Sequence, residues 1–196
     1  VLKPRRLAIL LLLVAVAGCG STPRERFYTL AADGPQQRVQ SAGYEFSVAV
    51  GPVTVPAIVD RPQMVLRTGR NRVIVAEQSR WAAPLTDSIA RVIAGNLAQL
   101  MGMARVSAYS ESMSADADYR VPIDVQRFES APGDAATVEV VWAVRAAGRT
   151  LRAGRSSIRE PVGGGGDEAL VAAHQRALAA VSRDIAAALR DLGSPR

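Results

Sequence analysis

The chain has one cysteine and one histidine in 196 residues, and aromatic side chains make up 5% of it. It has a single lysine, Lys3. One cysteine excludes an internal disulfide and any Cys-rich zinc site. One histidine, His174, argues against a His-based metal site and against a Ser-His-Asp triad. With lysine confined to the start, every later cation is an arginine, a bias that a GC-rich genome produces without any functional cause. No glycine-rich phosphate loop is present. The four glycines at 163–166 lack a following Lys-Ser/Thr and do not sit in a GxGxxG pattern, so they read as a linker. The acidic stretch around Asp116 and Asp118 lacks the glycine and distal glutamate of a calcium loop and reads as solvated. No cofactor and no metal is expected.

What is present begins with the bulk. At 48% hydrophobic and 21% charged residues the chain is globular. Its formal net charge is +6. Removing a segment that carries Lys3, Arg5 and Arg6 would bring it to about +3. Such an excess does not call for nucleic acid.

The first residues have the layout of a secretory signal: a basic start, an apolar run from Leu7 to Ala17, then small residues and Cys19. The run is too short for a bilayer span, which takes about 20 apolar residues. Val16-Ala17-Gly18-Cys19 resembles the bacterial lipobox. That resemblance implies diacylation of the Cys19 thiol, cleavage after Gly18 and acylation of the new amino terminus. The bland alternative is an ordinary signal peptide with an incidental cysteine. Gly20, where Asp would favour inner-membrane retention in enteric-type bacteria, leans toward the periplasmic face of the outer membrane. The expected organisation is a signal peptide over 1–18, a lipidated tether over 19–43 and one domain over 44–193. Phe27-Tyr28-Thr29-Leu30 interrupts the tether as a short strand able to dock on the domain.

Within the domain, Phe46, Val48 and Val50 alternate with smaller or polar residues and predict a strand that Gly51-Pro52 ends. Met64–Thr68 and Arg72–Ala76 predict a hairpin across Thr68-Gly69-Arg70-Asn71. Leu85, Ile89, Val92, Ile93, Leu97 and Leu100 form one stripe of a helix opened by Pro84 and stopped by Gly102. Ala104–Ala108 is a further strand. The alternation through Tyr119–Val125 contains Pro122, which predicts an edge or a bulge there. Val138, Val140, Trp142 and Val144 continue an antiparallel meander into a strand through Leu151 and Ile158. A last helix runs from an N-cap at Asp167 to about Leu192, its stripe being Leu170, His174, Leu178, Val181, Ile185 and Leu189. His174 on that stripe reads as a core histidine. The expected fold is α+β: a mainly antiparallel sheet with two amphipathic helices packed on one face.

Arg61, Arg67, Arg70, Arg72 and Arg80 concentrate in one short region. They read either as a solvated basic face or as a recognition surface for carboxylates or lipid phosphates, which suit the planar guanidinium. Trp81 beside Arg80 reads either as an interface anchor or as core packing at the helix entrance.

Residues 50–97 carry a more specific pattern: Gly51-Pro52, Pro56, Asp60-Arg61-Pro62-Gln63, Asn71, then Arg80-Trp81-Ala82 and Pro84-Leu85 opening a helix. Together with the lipobox and Phe27-Tyr28-Thr29-Leu30, this resembles the PqiC family of ABC-type transport auxiliary lipoproteins. Family members often carry an aromatic before the Asp-Arg-Pro run and a Glu before the helix proline; this chain has Ala57-Ile58-Val59 and Ala83. The resemblance implies a non-enzymatic lipoprotein that partners an MCE-domain protein of an inner-membrane ABC transporter and serves lipid transport between membranes. It points to Asp60, Arg61, Pro62, Gln63, Arg80, Trp81 and Pro84 as partner-facing or as braces, with Arg80 paired to Asp60 in the bracing case. A ring-shaped homo-oligomer would suit such a conduit. The rival reading is a structural or assembly lipoprotein of the outer membrane without a role in lipid transport.

Overall fold

The computed structural model of the protein describes residues 24–32, 46–102, 105–109 and 116–193. The signal segment, Cys19 and most of the expected tether lie outside the described residues. Eight strands make one sheet: β1 (Arg26–Tyr28), β2 (Val48–Thr54), β3 (Gln63–Gly69), β4 (Arg72–Trp81), β5 (Val106–Ala108), β6 (Tyr119–Ala131), β7 (Ala135–Ala146) and β8 (Arg149–Pro161). Helix α1 (Leu85–Met101) lies between β4 and β5, and helix α2 (Asp167–Gly193) ends the described chain. The helices touch each other and share one face of the sheet, α1 over β2 and β5, α2 over β7 and β8.

The sheet is mixed, which corrects the expectation of a mainly antiparallel one. The β3–β4 hairpin and the β6–β7–β8 meander are antiparallel. β2 runs parallel to both β5 and β6, β3 parallel to β6, and β1 parallel to β4. Parallel pairing needs a long crossover, and the excursion through β3, β4 and α1 supplies it. The chain returns to the end where β2 began, so β5 and β6 start beside it. Strand β6 is the hub. Its first half pairs with β2, its far end meets β3 at Leu66↔Ser130, and its other edge carries β7.

Three local expectations change with this topology. Gly51-Pro52 does not end β2; the strand continues to Thr54, with a cis peptide and a register shift at that point. Pro122 lies opposite this bulge in an interior strand, where the ladder is already interrupted, so its missing N–H leaves no orphan partner. The first residues of β2, Val48 to Gly51, are buried without alternation, as befits a parallel strand between two neighbours.

The helices follow their stripes. Pro84 takes the N-cap of α1, and Gly102 ends it in the left-handed region at φ 61°, a conformation glycine adopts without a Cβ penalty. Leu100 is the exception: it is 37% exposed, and Met101 takes the buried position instead. All six expected stripe residues of α2 are fully buried. Between the helices, Asn96 Nδ2 donates to Ser182 Oγ at 3.2 Å, and that hydroxyl donates to the Leu178 carbonyl at 2.8 Å. The Asp167 side chain is engaged elsewhere than in capping: Oδ2 accepts from Ser79 Oγ at 2.5 Å and from Tyr28 OH at 3.5 Å. It thereby ties the start of α2 to β1 and β4.

Candidate functional site

The segment before β3 folds back as a turn. The amides of Val59 and Asp60 donate to the Pro56 carbonyl at 3.0 and 3.2 Å, and Arg61 N–H donates to Val59 O at 2.9 Å. Trp81 N–H then donates to Pro62 O at 2.7 Å, and Ala82 N–H to Tyr28 O at 2.8 Å. These bonds bring Asp60–Pro62 beside Trp81–Leu85, residues far apart in the chain. The two segments line one concave surface of about 340 Å³. Asp60, Arg61, Pro62, Ala82 and Pro84 are exposed around it. Gln63 stands just behind, paired with Arg80 across β3 and β4.

Trp81 is the floor of this surface and not an anchor reaching out of it. It is 6% exposed, with edge-to-face contacts to Phe128 at 6.0 Å and His174 at 6.3 Å. Arg80 does not pair with Asp60. Its guanidinium meets Glu25 Oε1 at 2.7 Å, fastening β1 to the sheet edge. Of the other arginines in the cluster, Arg67 pairs with Glu129 at 3.2 Å and Arg72 Nε donates to Thr68 Oγ1 at 3.2 Å. Arg61, Arg70 and Arg72 are exposed. The cluster is therefore dispersed: some members brace the sheet and the rest face solvent.

His174 is a core histidine. Its ring stacks on Phe128 at 3.9 Å with a 6° interplanar angle, and Nε2 lies 2.8 Å from Ser130 Oγ. Burial pushes its pKa down to about 3, so the ring is neutral. The Ser130–His174 pair is sealed in the core, with His174 0% and Ser130 3% exposed. Among the described residues no group of His, Cys, Asp or Glu is placed to hold a metal ion. Asp118 acts as a clamp: its carboxylate accepts from both the backbone N–H and the hydroxyl of Ser47 at 2.7 Å. These bonds hold its pKa below the usual carboxylate range.

A second hollow, open-mouthed and about 430 Å³, lies at the opposite end of the meander, between Gly51-Pro52, Tyr109, Arg120, Pro122 and the β7–β8 turn. Arg120 and Arg145 sit directly across from each other there. No spacing in the sequence announced this site, because it exists only through the β6–β7 register.

No described helix is long and apolar enough to cross a membrane. Among curated proteins none matches the sequence. Solved structures that share the fold include the following two. One, of an uncharacterized protein, aligns with a TM-score of 0.69 at 17% identity over 85% of this chain and 99% of its own. The other, of a protein from Xanthomonas campestris, has a TM-score of 0.63 at 22% identity over 82% and 92%. A sequence model of the ABC-type transport auxiliary lipoprotein component matches residues 28–186, which spans β2 to β8, α1, most of α2 and the concave surface at Asp60–Leu85. The chain belongs to the family of ABC-type transport auxiliary lipoprotein components.

Proposed function

We propose that the protein is a non-enzymatic, lipid-anchored subunit that docks an MCE-type ABC transport system at the periplasmic face of the outer membrane, for lipid traffic between membranes. The observation that carries this reading is the concave surface itself. Asp60–Pro62 and Ala82–Pro84, which hold the most specific motif of the sequence, converge on one exposed hollow. A motif needed only for turns would not have to share a surface. Exposed Asp60, Arg61, Pro62 and Pro84 are the contact residues for the MCE-domain partner. Gln63, Arg80 and Trp81 support them from behind.

Acylation of Cys19 supplies the anchor. One acyl chain holds a protein only marginally, and stable anchoring takes two signals; a thiol diacylated and an amine acylated exceed that. Tethering raises the effective concentration of the domain near its membrane, so a moderate affinity for the partner suffices. Gly20 in place of Asp favours the outer membrane.

The test is an affinity pull-down of the full-length lipoprotein from its native envelope, with partners identified by mass spectrometry. Recovery of an MCE-domain protein, lost in Arg61→Glu at unchanged melting temperature, is the expected result. Clean recovery of the bait alone would remove the transport assignment and leave a scaffold lipoprotein.

A further inference from the structure

The route of the chain into the domain shows from which end of the sheet it enters. Strand β1 runs parallel to β4, with Arg26 opposite Ser79. Its N-terminal side therefore faces the end at which β4 begins, where the β3–β4 hairpin turns at Arg70-Asn71. Arg26 is seven positions after Cys19, a reach of at most about 25 Å. Ser79 is likewise seven positions after Arg72 along β4, a rise of about 23 Å. The hairpin tip thus extends toward the incoming chain by as much as that chain can extend. Before Ser79, from Arg72 to Gln78, no described strand pairs with the outer edge of β4.

The tip has the composition of a surface that meets phospholipid. Val73 and Ile74 are adjacent in β4, so they point to opposite faces of the strand, and they are 45% and 48% exposed. Val73 borders a shallow hollow with Ile58 and Val65, yet about half of Val73 and of Ile74 remains open to solvent. Arg70 and Arg72 flank them, both exposed. Arginine beside exposed β-branched residues joins a donor fork for phosphate to an apolar wedge.

We propose that the β3–β4 hairpin tip, Arg70 to Ile74, is a second membrane contact, seated on the phospholipid surface that holds the acyl chains of Cys19. The inference rests on the acylation reading. The two contacts lie at the same, membrane-side end of the Cys19–Arg26 reach and together orient the domain, leaving the Asp60–Pro84 hollow turned along or away from the bilayer. A basic residue near an anionic surface strengthens attachment about fivefold, and the effect fades with salt.

Cys19 is the sole cysteine, and acylation consumes its thiol. The full-length chain carrying Ile74→Cys therefore offers one free thiol for an environment-sensitive fluorophore. The acylated protein is reconstituted in vesicles of phosphatidylethanolamine and phosphatidylglycerol, with Val141→Cys as a control on the open sheet face, where Val141 is also exposed. The expected result is a blue shift and quenching by bilayer-borne nitroxides at position 74, both absent at 141. Arg70→Ala with Arg72→Ala should weaken the signal and remove its salt dependence. A water-like spectrum at 74, with acylated Cys19 confirmed by mass, would overturn the tip contact while leaving the anchor intact. A free Cys19 thiol would overturn the anchor, and the tip contact with it. A blue shift that appears only on adding envelope proteins would assign the tip to a protein partner and overturn the lipid contact.

Discussion

Val140 and Val141 are neighbours in β7, yet one is 0% exposed and the other 41%. They belong to the two faces of the sheet. The face under the helices is a continuous apolar layer, with Val121, Ile123, Val125, Phe128, Val138, Val140, Trp142 and Val144 meeting the stripes of α1 and α2. The open face is a ladder of ion pairs: Arg155 and Arg127 on either side of Glu139, and Arg67 with Glu129. Identity of residue type says little here. Which side of the pleat a residue occupies decides whether it contributes stability or surface chemistry.

The sharpest way to break the covered face is at its tightest contact. Trp142 lies over Gly154 in the next strand, and a Cβ at position 154 would come within 2.3 Å of the Trp142 ring. The indole N–H donates to Ser156 Oγ at 3.1 Å, and that hydroxyl donates to Asp184 on α2 at 2.5 Å. The ring therefore cannot move without breaking its bond to Ser156, the residue that links β8 to α2. Gly154→Val should destabilise the domain by about 3 kcal/mol or more, read as a fall in the denaturant midpoint. An unchanged midpoint would mean that the indole has room to leave.

Next comes the valine pair itself. Val140→Ala removes two buried methyl groups and leaves a cavity, costing about 2–3 kcal/mol. Val141→Ala should stay within about 0.5 kcal/mol. Equal costs, measured by chemical denaturation, would erase the distinction between the faces.

His174 tests the covered face by pH. Its pKa falls from 6.5 to about 3 on burial. Below pH 6.5 the unfolded chain binds a proton that the folded chain refuses, so stability is complete above that value and declines toward pH 3. At pH 5 the loss is about 2 kcal/mol. His174→Leu should flatten this part of the stability–pH curve, while losing the Ser130 hydrogen bond at every pH. A slope that persists unchanged in the variant would move the titration to another group.

The covered face was legible in the sequence because burial imposes periodicity. The stripes of both helices, the alternation of β7 and the core role of His174 all follow from it. Pairing direction was not legible. Hairpin turns such as Gly69–Arg72 announce antiparallel neighbours, but nothing local announces that β2 lies between β5 and β6; that depends on where the crossover through α1 returns. The Asp60–Pro84 surface was legible only as a motif. Its split into exposed residues and a buried Trp81 is set by the core beneath it, and the choice of Glu25 over Asp60 as the partner of Arg80 depends on β1 docking at the edge. The Arg120–Arg145 hollow was invisible for the same reason as the parallel strands: its residues meet only through register.

The smallest effect is expected on the open face, and it carries its own information. Glu139 Oε1 is 3.4 Å from Arg127 and Oε2 is 2.9 Å from Arg155, and both arginine side chains are more than half exposed. Glu139 itself is 17% exposed, but with both arginines open to solvent such pairs contribute up to about 1 kcal/mol. Glu139→Gln keeps the shape, removes the charge and leaves two arginines flanking a neutral amide. The melting temperature should fall slightly at low salt, and the difference should shrink as ionic strength shortens the screening length to about 8 Å and below. A loss well above 1 kcal/mol that salt does not reduce would mean that this face is shielded from water in solution. The open face would then be covered by another surface, and its charges would count as buried pairs, for which removing one partner costs several-fold more.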